Sequence, residues 1–282
     1  MPLRWSVSGA VLQSVLSETK LVLVAERHGS PVGIGAVDYD FSGEAGLVLL
    51  IVDPAHQKTG IGASLLRSLE ERLRSLQVRV LRLGAVSTAT YLWPGLPSEM
   101  EAAWPFFERR GWMLEEACAD LVQDLAGFTP PEWIHESLAG SRVVLQLANP
   151  AGRSSVAAFE AANFPAWAEY FNGDERLPDG DGRILVAQSC DGEILGTLLM
   201  DAKIPRRWSA DDNLRVGSIN ALGVLPSRQR QGIGLALAAK AMEVLRDRGC
   251  SKAYIQWTGL TAWYGKLGTS VWARYYMAKK PL

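Results

Sequence analysis

The chain has 282 residues, 48% hydrophobic and 21% charged, which is enough apolar material for a sizeable core and excludes a disordered chain. Its 29 basic and 30 acidic side chains leave a formal charge of −1, so no global field favours nucleic acid or an anionic membrane surface. Cys118, Cys190 and Cys250 are odd in number, widely separated and without C-x-x-C spacing, which argues against a disulfide framework or a metal site and suits a reducing compartment.

At this length, one large domain or two of ordinary size are admissible. The N-terminal stretch is interrupted by Ser6, Ser8, Gln13, Ser14 and Glu18 and lacks the apolar core of a signal peptide. About twenty residues, room for one helix, precede the first predicted strand at 21–25. The longest apolar run, residues 45–52, is far too short to span a bilayer. A cytoplasmic protein is expected, with no nucleic-acid or membrane partner.

Within that run a strand is predicted over 46–52. The sequence then reads VDPAHQKTGIG at 52–62, and VLPSRQRQGIG stands at 224–234, so six of eleven positions agree at a constant offset of 172. The surroundings repeat as well. In the first copy Ile61, Leu65, Leu69 and Leu73 recur at intervals of four, and in the second Leu237, Ala241 and Leu245 do so, one buried helical stripe in each. Strands at 78–83 and 252–257 follow, giving twice the order strand, glycine turn, helix, strand, most simply closed by a right-handed crossover.

Between the copies, Thr129 is positioned to cap a helix opening with Pro130 and Pro131. The boundary is therefore set at 128, giving domains 1–128 and 129–282. Beyond it a strand is predicted at 143–147, two short helices over 154–171 divided at Pro165, a hairpin of 184–188 and 194–199 about Asp191-Gly192, and a strand at 218–224. The fold class is mixed α and β.

A glycine turn leading from strand to helix leaves unpaired N–H groups and the positive end of the helix dipole where an anion can sit. Gly60, Gly62, Gly232 and Gly234 fit this use, since glycine lets a bulky phosphate approach the main chain. A P-loop fails, because neither turn has Gly-Lys followed by Ser or Thr; a dinucleotide fingerprint fails, because Leu65 and Leu237 stand where its third glycine belongs. The same glycines also serve a plain helix start that packs tightly, a reading weakened by its occurring twice.

Gln57-x-x-Gly60-x-Gly62 and Gln229-x-x-Gly232-x-Gly234 resemble the acyl-CoA pyrophosphate loop of the GNAT N-acetyltransferase superfamily, and the chain as a whole resembles tandem GNAT proteins of bacterial type. The resemblance implies two GNAT-like domains, each a mixed, largely antiparallel sheet flanked by helices, with acetyl-CoA as co-substrate and a small amine as acceptor. It implies that Leu222, Gly223 and Val224 pair with the pantetheine arm, with the Val224 amide a donor to the thioester oxygen. The amides of Gln231, Gly232, Ile233 and Gly234 would hold the pyrophosphate, with Gln229 also in the cofactor site and Arg228 or Arg230 reaching the nucleotide phosphate or remaining solvated.

In that family an aromatic pair is followed by glycine, and its tyrosine protonates the departing thiolate. Trp263-Tyr264-Gly265-Lys266-Leu267-Gly268 matches, which makes Tyr264 the candidate general acid; the alternative is a tyrosine that only packs. The first copy has Phe106-Phe107 before Gly111 and no hydroxyl there, and 47 residues separate Gly60 from Phe107 against 32 from Gly232 to Tyr264. Its surplus holds Pro94-Gly95-Leu96-Pro97, similar to a turn of bacterial tandem GNAT proteins. The second copy is therefore expected to carry the chemistry, and the first, with Gln57, Gly60 and Gly62, to be a scaffold that retains a weaker or structural CoA site. No base is assigned: Asn220 stands on the strand where a carboxylate would serve, Glu193, Asp211 and Asp212 are candidates only if the fold brings them in, and the aromatic residues Phe159, Phe164, Trp167, Tyr170 and Phe171 mark the expected acceptor region. The rival reading is a binding protein that senses acyl-CoA without turnover.

Overall fold

The computed structural model describes residues 7–39, 43–84, 86, 90–171, 183–202 and 215–282. The chain forms two compact units, one of Met1–Ala119 together with Ala273–Leu282, the other Asp120–Trp272. The compact units therefore do not divide at residue 128: the second starts earlier, and the last ten residues return to the first.

The first unit opens with α1 (Gly9–Glu18), whose cap Ser8 accepts from the Val11 amide. Strands β1 (Leu21–Arg27) and β2 (Ser30–Tyr39) form a hairpin. Its two turn residues, His28 and Gly29, both have positive φ, 53° and 78°, the geometry that matches the natural twist of paired strands. Next come β3 (Glu44–Val52), α2 (Ile61–Ser75), β4 (Val80–Leu83), β5 (Leu96–Pro97), α3 (Trp104–Glu108) and β6 (Met113–Leu114). On α2, Leu65, Leu66, Leu69 and Leu73 are buried, the last three against Val37, Leu47 and Leu81, as the period of the helix requires.

The second unit takes in most of β7 (Cys118–Asp124), then α4 (Glu132–Leu138), β8 (Val143–Leu147), α5 (Arg153–Asn163), α6 (Ala168–Phe171), β9 (Ile184–Ser189) and β10 (Ile194–Asp201). It continues through β11 (Val216–Val224), α7 (Ile233–Asp247), β12 (Lys252–Thr258) and α8 (Thr261–Gly265) into β13 (Ser270–Tyr276), and the chain ends in β14 (Ala278–Pro281). Helix α4 begins at Glu132, so Pro130 and Pro131 precede it and Thr129 does not cap it. A residue followed by proline is pushed out of the helical region, and Pro130 is such a residue.

In the first unit the strand order is β1-β2-β3-β4-β14-β6. The C-terminal strand thus fills the gap between β4 and β6, antiparallel to both, and Lys280 reaches the buried Glu70 of α2 at 2.6 Å. These bonds are why the last residues belong to this unit. Strand β5 pairs there with Tyr275 and Tyr276. In the second unit the order runs β7-β12-β11-β10-β9-β8. Strand β7 carries Asp120, a fully buried carboxyl that accepts from the Tyr254 hydroxyl and, at 2.8 Å, from the Trp257 amide. Among the described residues no helix is long and apolar enough to cross a membrane, and no cluster of His, Cys, Asp and Glu is arranged to hold a metal.

Candidate active site

Both units split their sheet at the same place. The parallel ladder of β11 and β12 runs from Val216↔Lys252 to Ile219↔Ile255, yet β11 continues to Val224. In the first unit the ladder of β3 and β4 ends at Leu47↔Leu83 while β3 continues to Val52. The backbone of residues 220–224, like that of 48–52, thus runs on past its parallel neighbour, an edge open to an extended partner. On β11 the departure accompanies a bulge against β10, with Ala221 at φ 44°; such bulges re-aim a strand beside functional sites.

The turn after each splayed strand is built alike. A short helical turn, Pro54–His56 or Pro226–Arg228, is followed by Lys58 (φ 61°) or Arg230 (φ 61°), then by Gly60 (φ 91°) or Gly232 (φ 84°) at the helix start. Two left-handed residues in this pattern turn successive N–H groups toward one point. No side chain caps either helix, which leaves the first amides of α2 and α7 for another acceptor. The glutamine side chains turn back on the strand: Gln57 donates to the Val52 carbonyl and Gln229 to the Val224 carbonyl, each at 3.1 Å. They brace the turn against the strand end, while Gln231 is exposed and bonds Ser227.

The second glycine of each loop is a packing contact. A β-carbon on Gly234 would lie 3.0 Å from the Trp263 ring and 3.5 Å from Leu222, and one on Gly62 would meet Val52 and Phe106 at 3.5 and 3.7 Å. In this way α8 rests on the first turn of α7, and Tyr264 follows Trp263 in an edge-to-face pair, centroids 4.7 Å apart. Tyr264 is buried, which pushes its phenol up to about 12. Phe106 and Phe107 form the corresponding edge-to-face pair in the first unit, where Phe107 lies in the apolar core against Trp112.

Several expected groups are engaged otherwise. Glu193 faces Arg228 at 3.7 Å on the surface, and the Asn220 amide donates to the Ser218 hydroxyl at 3.1 Å. Asp211 and Asp212 lie outside the described residues. The aromatic set divides: Phe171 enters the core with Val156, Val186 and Leu199, Tyr170 is exposed, and Phe159, Phe164 and Trp167 form a cluster in which Phe164 stacks on Trp167 at 5.6 Å. Phe164 also covers Gly223, its ring 2.6 Å from where a β-carbon would stand. Sequence reading passed over Glu160, fully buried on α5 and bonded to Thr197; the visible signal was one carboxyl at helical spacing from Val156 and Phe164.

The Acetyltransferase (GNAT) family profile matches residues 146–268, and the Acetyltransferase (GNAT) domain profile matches residues 18–114. The chain is a tandem member of the GNAT N-acetyltransferase family. Among solved structures it is similar to the GCN5-related glucosamine N-acetyltransferase region of a fungal multi-domain GH3 β-N-acetylglucosaminidase, at 25% identity and TM-score 0.86, over 98% of this chain and 35% of that one. It thus spans about a third of that chain. A GCN5-related N-acetyltransferase from Sphaerobacter thermophilus (18% identity, TM-score 0.66, 92% of this chain and 80% of that) shares the fold. So does a tandem GNAT protein from the clavulanic acid biosynthesis pathway (16%, 0.60, 92% and 82%). No curated protein matches the sequence significantly. Enzymes of the GNAT family use an acyl-CoA co-substrate, usually acetyl-CoA.

Proposed function

We propose that the chain transfers the acetyl group of acetyl-CoA to the primary amine of an amino sugar, in its second unit. The observation that carries this is the open edge of β11 running into an uncapped glycine turn, with the tyrosine-bearing α8 packed against that turn through Trp263 and Gly234. The free backbone edge of Leu222, Gly223 and Val224 pairs with pantetheine. The amides of Arg230, Gln231, Gly232, Ile233 and Gly234 hold the pyrophosphate, and Gln229 keeps the turn in shape. The amine attacks the thioester carbon directly, positioned by binding, and Tyr264 supports the departing sulfur. The amino-sugar class is suggested by the fungal region's being a glucosamine N-acetyltransferase, and by the Phe164–Trp167 stack, a flat apolar face of the kind a sugar ring covers.

The first unit keeps the loop around Gln57, Gly60 and Gly62, but offers Phe107 where a hydroxyl is needed, and Tyr91, Leu92 and Trp93 pack with Val48 and Leu49 of β3. We assign it CoA binding without turnover. The test is thiol release from acetyl-CoA over a panel of amines headed by glucosamine, with calorimetry on CoA. Thiol release with an amino sugar and one to two CoA per chain are expected; CoA binding without thiol release from any amine would make the protein a sensor.

A further inference from the structure

Glu160 stands on the apolar face of α5, one turn after Val156 and one before Phe164, with 0% exposure. Buried carboxyls ordinarily have both oxygens satisfied. Here Oε1 accepts from the Thr197 hydroxyl, whereas Oε2 has no hydrogen-bond partner among the described residues. An orphaned buried acceptor forfeits its hydration without return, and a methionine of similar volume would avoid that loss, so stability alone does not account for the residue.

Its place in the sheet supplies an account. The ladders put Val186, Thr197 and Gly223 in one row across β9, β10 and β11, and side chains in such a row share a face. Glu160 bonds the middle member and Phe164 covers Gly223 at the end. Adjacent strands lie about 4.8 Å apart, so the carboxyl is one strand removed from the edge of β11 assigned above to pantetheine. The Phe164–Trp167 stack borders the same spot. Burial pushes the Glu160 carboxyl above the usual range, the direction that strengthens it as a base.

We propose that Glu160 is the acceptor-side carboxyl of the second unit: once Phe164 swings off Gly223, Oε2 receives the acceptor's ammonium and takes one of its protons. The inference rests on the transferase reading above and deepens it by naming the group that binds and deprotonates the amine. An N–H bond breaks, its proton passes to Oε2, and the freed lone pair forms the C–N bond to the thioester carbon. The C–S bond then breaks, and the sulfur is protonated from Tyr264. The second proton shed by nitrogen restores Tyr264, and the proton on Glu160 leaves to solvent, so one proton is released per turnover.

The experiment uses the full chain with saturating acetyl-CoA and glucosamine as probe, comparing wild type with Glu160→Gln and Glu160→Met. Both variants keep the volume, and the glutamine keeps a partner for Thr197. The proposal expects kcat/KM for the amine to fall by at least about 10²-fold in both. CoA affinity should stay within about threefold, and the thermal midpoint should be unchanged or raised, a split that a merely structural carboxyl would not give. Amine parameters within about threefold of wild type in Glu160→Gln, or unfolding of both variants, would overturn it. If wild type is inert toward glucosamine but acetylates another amine of the panel, the amino-sugar reading fails alone and the same comparison on that amine decides Glu160. If it binds CoA and acetylates none, both fall.

Discussion

Replacing Tyr264 by phenylalanine removes one hydroxyl and leaves the ring that packs against Trp263. The size of the effect follows from the environment of that hydroxyl. Burial holds the phenol at about 12, whereas an ordinary thiol ionises near 8.5, so full proton transfer to a free thiolate runs uphill by about 3.5 units, or about 5 kcal/mol. Tyr264 therefore acts mainly as a hydrogen-bond donor while charge grows on sulfur, ahead of complete transfer. A hydrogen bond to a charged group contributes about 1.5–3 kcal/mol, which corresponds to about 10- to 150-fold in rate. This overlaps the low end of the range of about 10²- to 10⁴-fold for general acid catalysis. The assay is kcat by thiol release on the amine identified by the panel, beside a separate CoA dissociation constant, with the absence of a pre-steady-state burst showing that chemistry limits turnover. We expect kcat about 10²-fold lower, CoA affinity unchanged, and no activity restored to the first copy by Phe107→Tyr. An unchanged kcat under these conditions would refute the reasoning.

The same buried phenol predicts an alkaline weakness. Its folded value of about 12 lies above the ordinary 10, so its contribution is fully present below pH 10 and is lost as pH rises through about 12, up to about 2.7 kcal/mol; urea midpoints should fall between pH 9.5 and 11.5 in wild type and fall less in Tyr264→Phe. Lys280→Ala leaves Glu70 with Arg74 at 3.6 Å, so the loss should be about 1–3 kcal/mol, below the cost of breaking a fully buried pair, and a silent substitution in thermal melts would mean that β14 is not anchored through this contact. A fragment of residues 129–282 lacks Asp120 and the strand between β12 and β13; we expect it to be insoluble or non-cooperative by circular dichroism, and a soluble, active fragment would contradict the assigned sheet order.

The features legible in the sequence are those with a local cause. The two loops were readable because glycine at fixed offsets after a strand is a backbone requirement, met here by φ values of 91° and 84° at Gly60 and Gly232. The hairpin of β9 and β10 was marked by Asp191-Gly192, and Gly192 takes φ 83°. What escaped depends on distant partners. Strand β14 reads Ala-Lys-Lys-Pro, with no strand periodicity, and is a strand because β4 and β6 leave a gap for it. The side-chain bonds of Gln57 and Gln229 were hidden for a related reason: spacing identifies the loop, and only the fold shows their side chains turned back onto Val52 and Val224. Glu160 lay inside the helices predicted over 154–171, and a lone carboxyl there acquires meaning only when Thr197 and Gly223 come beneath it.

The most direct test of the central claim compares acetyl-CoA-dependent thiol release by Gly232→Glu and Gly60→Glu in the full chain. Both glycines have positive φ, 84° and 91°, so each substitution carries a similar backbone strain of about 1–2 kcal/mol. A β-carbon at Gly60 meets no heavy atom within 4 Å, so the fold itself tolerates the added side chain there. In both loops the glutamate puts its bulk and charge where a pyrophosphate would sit. If the chemistry belongs to the second unit, Gly232→Glu abolishes thiol release and Gly60→Glu retains most of it, while calorimetry shows each variant losing only its own CoA. Loss of activity in Gly60→Glu with activity kept in Gly232→Glu would contradict the account.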